Sequence, residues 1–277
     1  MKKLVLLLLP LLLMCDRATP PEPVEHLVGD SELAQVAGVR YVDLVFTATT
    51  KISNVTYDAG NGLKLDLYFP SPDTATKRWL VVFAHGGGFT SGDKADSKNV
   101  TWAKDMAKRG YVAASINYRL KGLLVGEQYG GADMCAAIRF LRSKSALYKL
   151  DTARVVTFGG SAGGSSALAC AYWQEIRSLN TSNAGFNSAP NLCGESAGYL
   201  QNAASVMQAG EPPLFMTHCK NDSTVPFALA LSTFNAAGVA GLDTTSFWQS
   251  GGCSHALIGC CLSATNKALA SWIYSRF

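Results

Sequence analysis

The chain has 277 residues, 48% of them hydrophobic, and a formal charge of +4. That is enough for one sizeable core and a single domain of ordinary α/β size. No basic run or basic face stands out, which argues against nucleic acid as a partner.

Taken in order, the chain opens on Lys2-Lys3 and an apolar run, Leu4 to Met14, interrupted only by Pro10. The run is too short to span a bilayer and reads as an export signal over residues 1–15. Leu12-Leu13-Met14-Cys15 resembles a bacterial lipoprotein processing site. Cys15 is therefore an expected point of lipid attachment and membrane tethering, with ordinary cleavage near Ala18 as the alternative, and the expected location is periplasmic or extracellular. Residues 16–36, rich in Pro and acid, read as a tether, and 37–277 as one domain.

Within that domain Tyr41 to Phe46 reads as extended. Asn54–Tyr57 and Leu63–Phe69, around Gly60-Asn61-Gly62, read as a hairpin. Leu80 to Ala84 is a buried strand, and Lys98 to Lys108 a helix stopped by Gly110. Tyr111 to Ile116 is the next strand, followed by a helix over Asp133–Tyr148 from its apolar spacing. Val155-Val156-Thr157-Phe158 is a strand that runs into Gly159-Gly160-Ser161-Ala162-Gly163 and a helix from Gly164. Residues 174–210 should hold one strand that the pattern does not place. Leu214–Thr217 and Thr245–Trp248 are strands around a helix at Phe227–Ala237, and Ser263–Phe277 is a terminal helix. An antiparallel start followed by alternating strands and helices predicts a mostly parallel doubly wound sheet with an antiparallel N-terminal edge.

Strand, Gly-x-Ser-x-Gly turn and helix is the context in which that motif presents a nucleophilic serine. A second copy, Gly194-Glu195-Ser196-Ala197-Gly198, lacks a convincing preceding strand, so Ser161 is the expected nucleophile. Such a serine needs a base, a group that orients the base, and donors for an oxyanion. Of four histidines, His255 lies on a loop between the last strand and the last helix and is the expected base. Asp222 lies on a turn after a strand and is the expected orienting acid. The chain order Ser161, Asp222, His255 is that of the α/β-hydrolases. His85-Gly86-Gly87-Gly88 follows a buried strand, and its glycines let backbone N–H groups face a cavity.

These motifs, with Leu65-Asp66-Leu67-Tyr68-Phe69-Pro70, Asn117-Tyr118-Arg119-Leu120 and Asp133 to Asp151, resemble the α/β-hydrolase esterases related to hormone-sensitive lipase. The likeness runs from about Tyr57 to Phe277 and is strongest to secreted bacterial feruloyl and acetylxylan esterases. It implies oxyanion-hole N–H groups at Gly87, Gly88 and Ala162. It also implies a bracing role for His85 and structural roles for Arg119, Asp133 and Arg139. The implied chemistry is hydrolysis of short-chain or carbohydrate-linked acetyl or feruloyl esters, on small molecules or polysaccharide, with no metal or organic cofactor. Three departures bear on substrate: the long helical N-terminal cap of the lipase-like branch is missing, Gly-Gly-Ser replaces Gly-Asp-Ser, and the stretch after the Ser161 helix is unusual. The rival readings are a peptidase of the prolyl-oligopeptidase type and a non-catalytic binding protein on the same fold.

Of the eight cysteines, Cys135 and Cys170 fall in helical patterns and read as buried small hydrophobes. Cys193, Cys219, Cys253, Cys260 and Cys261 read as loop residues. In the fold implied by the resemblance, the loops carrying Asp222 and His255 are neighbours, which suggests a Cys219–Cys253 disulfide. The competing scheme pairs Cys253 with Cys260 or Cys261, and Cys193 with Cys219.

Overall fold

A computed structural model describes residues 38–255 and 262–277. The expectations for the signal segment, Cys15, the tether and the Cys260-Cys261 pair lie outside the described residues. The described strands form a single sheet: β1 (Ala48–Asp58), β2 (Leu63–Ser71), β3 (Arg78–Ala84), β4 (Val112–Ile116), β5 (Leu150–Gly159), β6 (Leu192–Ser196), β7 (Leu214–Cys219) and β8 (Thr244–Gln249). Their spatial order is β1-β2-β4-β3-β5-β6-β7-β8. The β1–β2 and β2–β4 pairs are antiparallel, and every later pair is parallel.

The helices are α1 (Ser97–Lys108), α2 (Gly122–Ser143), α3 (Ser145–Tyr148), α4 (Ala162–Tyr172), α5 (Ala203–Val206), α6 (Phe227–Val239) and α7 (Leu262–Arg276). They cover both faces of the sheet, and this explains why Leu80–Ala84 of β3 is apolar throughout rather than alternating,. Leu80, Val82 and Ala84 join one core with residues of α2, α4 and α6, while Val81 and Phe83 join a second core with α1 and α7. In α1, Trp102, Ala103, Met106 and Ala107 form the buried stripe, spaced as a helix face requires. Gly110, at φ 106°, ends α1 in a conformation open to glycine,. Among the described residues, no large inserted cap covers the carboxyl ends of the parallel strands.

The structure places the strand expected within 174–210 and corrects other local readings. Tyr41–Phe46 is a turn and an irregular segment, not a strand. Tyr41 takes φ 72°, and its ring stacks on Trp79 at 3.9 Å, so packing rather than pairing fixes the segment. The helix expected from Asp133 begins a full three turns earlier, at Gly122. It also ends at Ser143, and Tyr148 belongs to the separate short turn α3. The strand missing from 174–210 is β6, and it carries Gly194-Glu195-Ser196. Cys193 therefore lies in a strand, buried and unpaired, and Cys219 is the last residue of β7, so neither is the loop residue expected.

Candidate functional site

Ser161 stands between β5 and α4 with φ 56° and ψ −126°. A non-glycine residue held there costs roughly 1–3 kcal/mol and persists only when its surroundings enforce it. The enforcement is visible. The Ser161 N–H donates to Ser196 O at 2.8 Å, and Ser161 O accepts the Ser165 N–H at 3.0 Å. Close approach fixes the flanking glycines: a Cβ at Gly163 would overlap Ala84 O, and one at Gly159 would overlap Gly163 itself,.

His255 reaches this serine from the loop after β8, with Nε2 at 2.8 Å from Ser161 Oγ. Its other nitrogen, Nδ1, is 2.7 Å from Asp222 Oδ2. A carboxylate can only accept, so Nδ1–H donates to Asp222 and Nε2 is left to accept the serine hydroxyl. Asp222 sits on the turn after β7, where its Oδ1 accepts the N–H groups of Thr224 (2.8 Å) and Val225 (3.0 Å). Burial would raise its pKa, but these two donors and the His255 ring outweigh it and hold the acid below its ordinary value. The acid is thus ionised and aimed. His218, the neighbouring histidine, is fully buried and bonded to Val225 O at 2.9 Å. It supports the Asp222 turn and does not face Ser161.

The Cys219–Cys253 disulfide is present, with Cα atoms 5.8 Å apart. It ties the end of β7 to the loop that carries His255, three residues before Asp222 and two before His255.

The glycine loop lies on the other side of the serine. Gly87 and Gly88 adopt φ 114° and 60°. Gly87 O accepts the N–H groups of Thr90 and Ser91, both at 3.1 Å, which folds the loop back on itself. A Cβ at Gly86 would lie 3.4 Å from Ser161 Cβ, so the loop abuts the elbow. Among the described residues, the N–H groups of Gly87, Gly88 and Ala162 have no internal acceptor. His85 is buried behind the glycine loop's own contacts. Its Nδ1–H donates to Gly86 O (2.7 Å), its carbonyl accepts the Tyr118 hydroxyl (2.7 Å), and its ring stacks on Tyr118 at 4.4 Å. Arg119 pairs with Asp133 at 2.6 Å, and Arg139 donates to the carbonyls of Asn180 and Ser182. Both arginines pin the segment after α4 to α2.

A cavity of about 460 Å³ opens against Ser161 and His255, walled by Gly87, Ser91, Asp96 and Lys98. Among the described residues no cluster of side chains has the makings of a metal site. Three further acids are buried, Asp58, Glu127 and Glu195. Nothing in the pattern around Glu127 marks it. Glu195 lies inside the second Gly-x-Ser-x-Gly, a motif whose pattern marks the serine and not the glutamate.

Residues 65–196 match the family model BD-FAE. The fold is similar to that of an esterase from the Planctomycetes species Thermogutta terrifontis. Its propionate-bound structure aligns at 23% identity and TM-score 0.68, over 83% of this chain and 94% of that one. Its sarin-phosphonylated form aligns at 22% identity and TM-score 0.70, over 83% and 95%. Its paraoxon-phosphorylated form aligns at 23% and 0.69, over the same shares. Together the sheet order, the serine elbow and these likenesses establish that the chain has the α/β-hydrolase fold, and the stretch from β2 to the end of β6 is similar to the BD-FAE family model.

Proposed function

We propose that this protein is a serine carboxylesterase in which Ser161 is the nucleophile, His255 the general base and acid, and Asp222 the residue that orients His255. The observation that carries this reading is the unbroken line from Asp222 Oδ2 through both nitrogens of His255 to Ser161 Oγ, with contacts of 2.7 and 2.8 Å. His255 takes the hydroxyl proton as Ser161 Oγ attacks the ester carbonyl, and Asp222 stabilises the imidazolium that forms. The N–H groups of Gly87, Gly88 and Ala162 receive the negative oxygen. Each such donor is worth roughly 3 kcal/mol in the transition state. His255 then gives its proton to the departing alcohol, and water repeats the path on the acyl-enzyme.

The substrates we assign are short-chain or carbohydrate-linked esters, acetyl or feruloyl. An uncapped site supports this reading, and so does the propionate held by the Thermogutta esterase. Export is supported by the Cys219–Cys253 disulfide, since such bonds persist in oxidising compartments,. We carry forward Cys15 as the lipid-attachment point; labelling of the protein by radioactive palmitate, lost in Cys15→Ala, tests it.

The esterase reading is tested by stoichiometric phosphonylation with a fluorescent organophosphonate, followed by a panel of p-nitrophenyl esters, feruloyl esters and acetylated xylan with a matched amide. One label per chain on Ser161 and ester turnover well above amide turnover are expected. A chain that takes no label is a binding protein, and one that prefers the amide is a peptidase.

A further inference from the structure

The second Gly-x-Ser-x-Gly sits directly behind the first. Gly160 and Ser196 form a parallel bridge, and Ser196 O is the acceptor for the Ser161 N–H. The residues that follow make a tight turn. Ala197 takes φ 56°, and its N–H donates to Thr217 O at 2.9 Å. Gly198 then passes so close to the elbow that a Cβ there would lie 2.8 Å from Ser165 N and 3.0 Å from Ser161 O. What holds this turn closed is Glu195. Its Oε2 accepts the Gly198 N–H at 2.6 Å, and a Cβ on Gly164, in the first turn of α4, would lie 3.2 Å from the same oxygen.

Glu195 is fully buried, and its Oε1 has no hydrogen-bond partner. Burial pushes its pKa well above the ordinary value, against the pull of the backbone N–H groups of Gly198 and Thr217. A buried acid is a costly way to fill space, and an apolar side chain of the same volume would pack there without that cost. The acid does what an apolar side chain could not: it accepts the hydrogen bond that closes residues 195–198.

Resting on the esterase reading, we propose that Glu195 is a positioning residue for the nucleophile. By closing the 195–198 turn it sets Ser196 O against the Ser161 N–H and so keeps Ser161 in its left-handed conformation. The second motif is thereby explained as the backing of the first, with its glutamate rather than its serine as the working residue.

The test compares Glu195→Gln, which keeps an acceptor for Gly198, with Glu195→Met, which keeps the volume and removes it. Glu195→Gln should hold kcat for p-nitrophenyl acetate within about threefold of the parent, while Glu195→Met loses tenfold or more in kcat and in phosphonylation rate with KM little changed, on the order expected when a nucleophile is displaced. Circular dichroism and thermal melting establish that both variants are folded. Should Glu195→Met not fold, Glu195→Leu, which also removes the acceptor for Gly198, takes its place, and the same loss in kcat is expected. The inference is overturned if folded Glu195→Met matches the parent, if the loss falls in KM, or if Glu195→Gln is as impaired as Glu195→Met. A parent protein that hydrolyses no ester overturns the esterase reading, and this inference with it.

Discussion

Cys219 and Cys253 are bonded to each other across the gap between the acid-bearing and the base-bearing loops, with a sequence separation of 34. Loop closure of that length stabilises a fold by about 4 kcal/mol in the chain-entropy model. The double variant Cys219→Ser, Cys253→Ser should therefore unfold at lower urea concentration, and kcat should fall because the Asp222–His255 contact loses its tether. Urea unfolding of the parent with and without reductant measures the first effect, and a midpoint that does not move would contradict it.

The two motif serines separate cleanly. Ser161→Ala should abolish turnover, losing roughly three or more powers of ten, because nucleophile and base act as a unit. Ser196→Ala should retain activity, since that hydroxyl is fully buried and without a partner, and removing such a group costs little. Steady-state kinetics on both variants checks this. Inactivity confined to Ser196→Ala would reverse the assignment.

Gly87→Ala should damage catalysis without changing the triad. Its Cβ would overlap Ser91 O, and its φ of 114° is one that alanine rarely adopts. The loop must shift, and with it the N–H groups aimed at the oxyanion. A drop in kcat of about a hundredfold is expected, with phosphonylation of Ser161 slowed in parallel. Unchanged kcat would remove Gly87 from the oxyanion hole.

Glu127 should make stability fall as pH rises from the acidic range to about 8,. Burial raises its pKa to about 8, although both its oxygens accept from the Gln201 N–H. The unfolded chain releases this proton near 4.5, so between that value and about 8 the folded state holds more protons. Stability must then fall as pH rises through this window, and the penalty is complete above about 8. Glu127→Gln removes the exchange and keeps an acceptor. Melting temperatures across the window should fall less in the variant than in the parent, and equal slopes would argue against a neutral Glu127.

The parts of the site that were legible in the sequence are those where chemistry demands unusual backbone. Ser161 between glycines, the run Gly86-Gly87-Gly88, and an acid and a histidine on successive loops all announce themselves. The parts that were not legible follow from packing. The first turns of α2 contain Gly126, Gly130 and Gly131, poor helix formers. Each is required because a Cβ there would overlap Phe89, Ser166 or α4. β6 was hidden because Gly194 and Glu195 have low strand propensity. Gly194 is needed where Phe158 presses on the strand, and Glu195 where it is tied to Gly198. Tyr41 resembled a strand residue because it is aromatic, and Trp79 uses that same ring to hold a turn.

The sheet order also sets when the site can exist. The nucleophile is built by β5 and α4, in the middle of the chain, while the base lies 94 residues further on, behind β8. A growing or truncated chain that has completed β6 but stops before β8 therefore carries Ser161, its Ser196 backing and the glycine loop, but not His255. On the esterase reading, a fragment that lacks β8 and the loop after it is expected to hydrolyse no ester, so activity would report that β7 and β8 have joined the sheet.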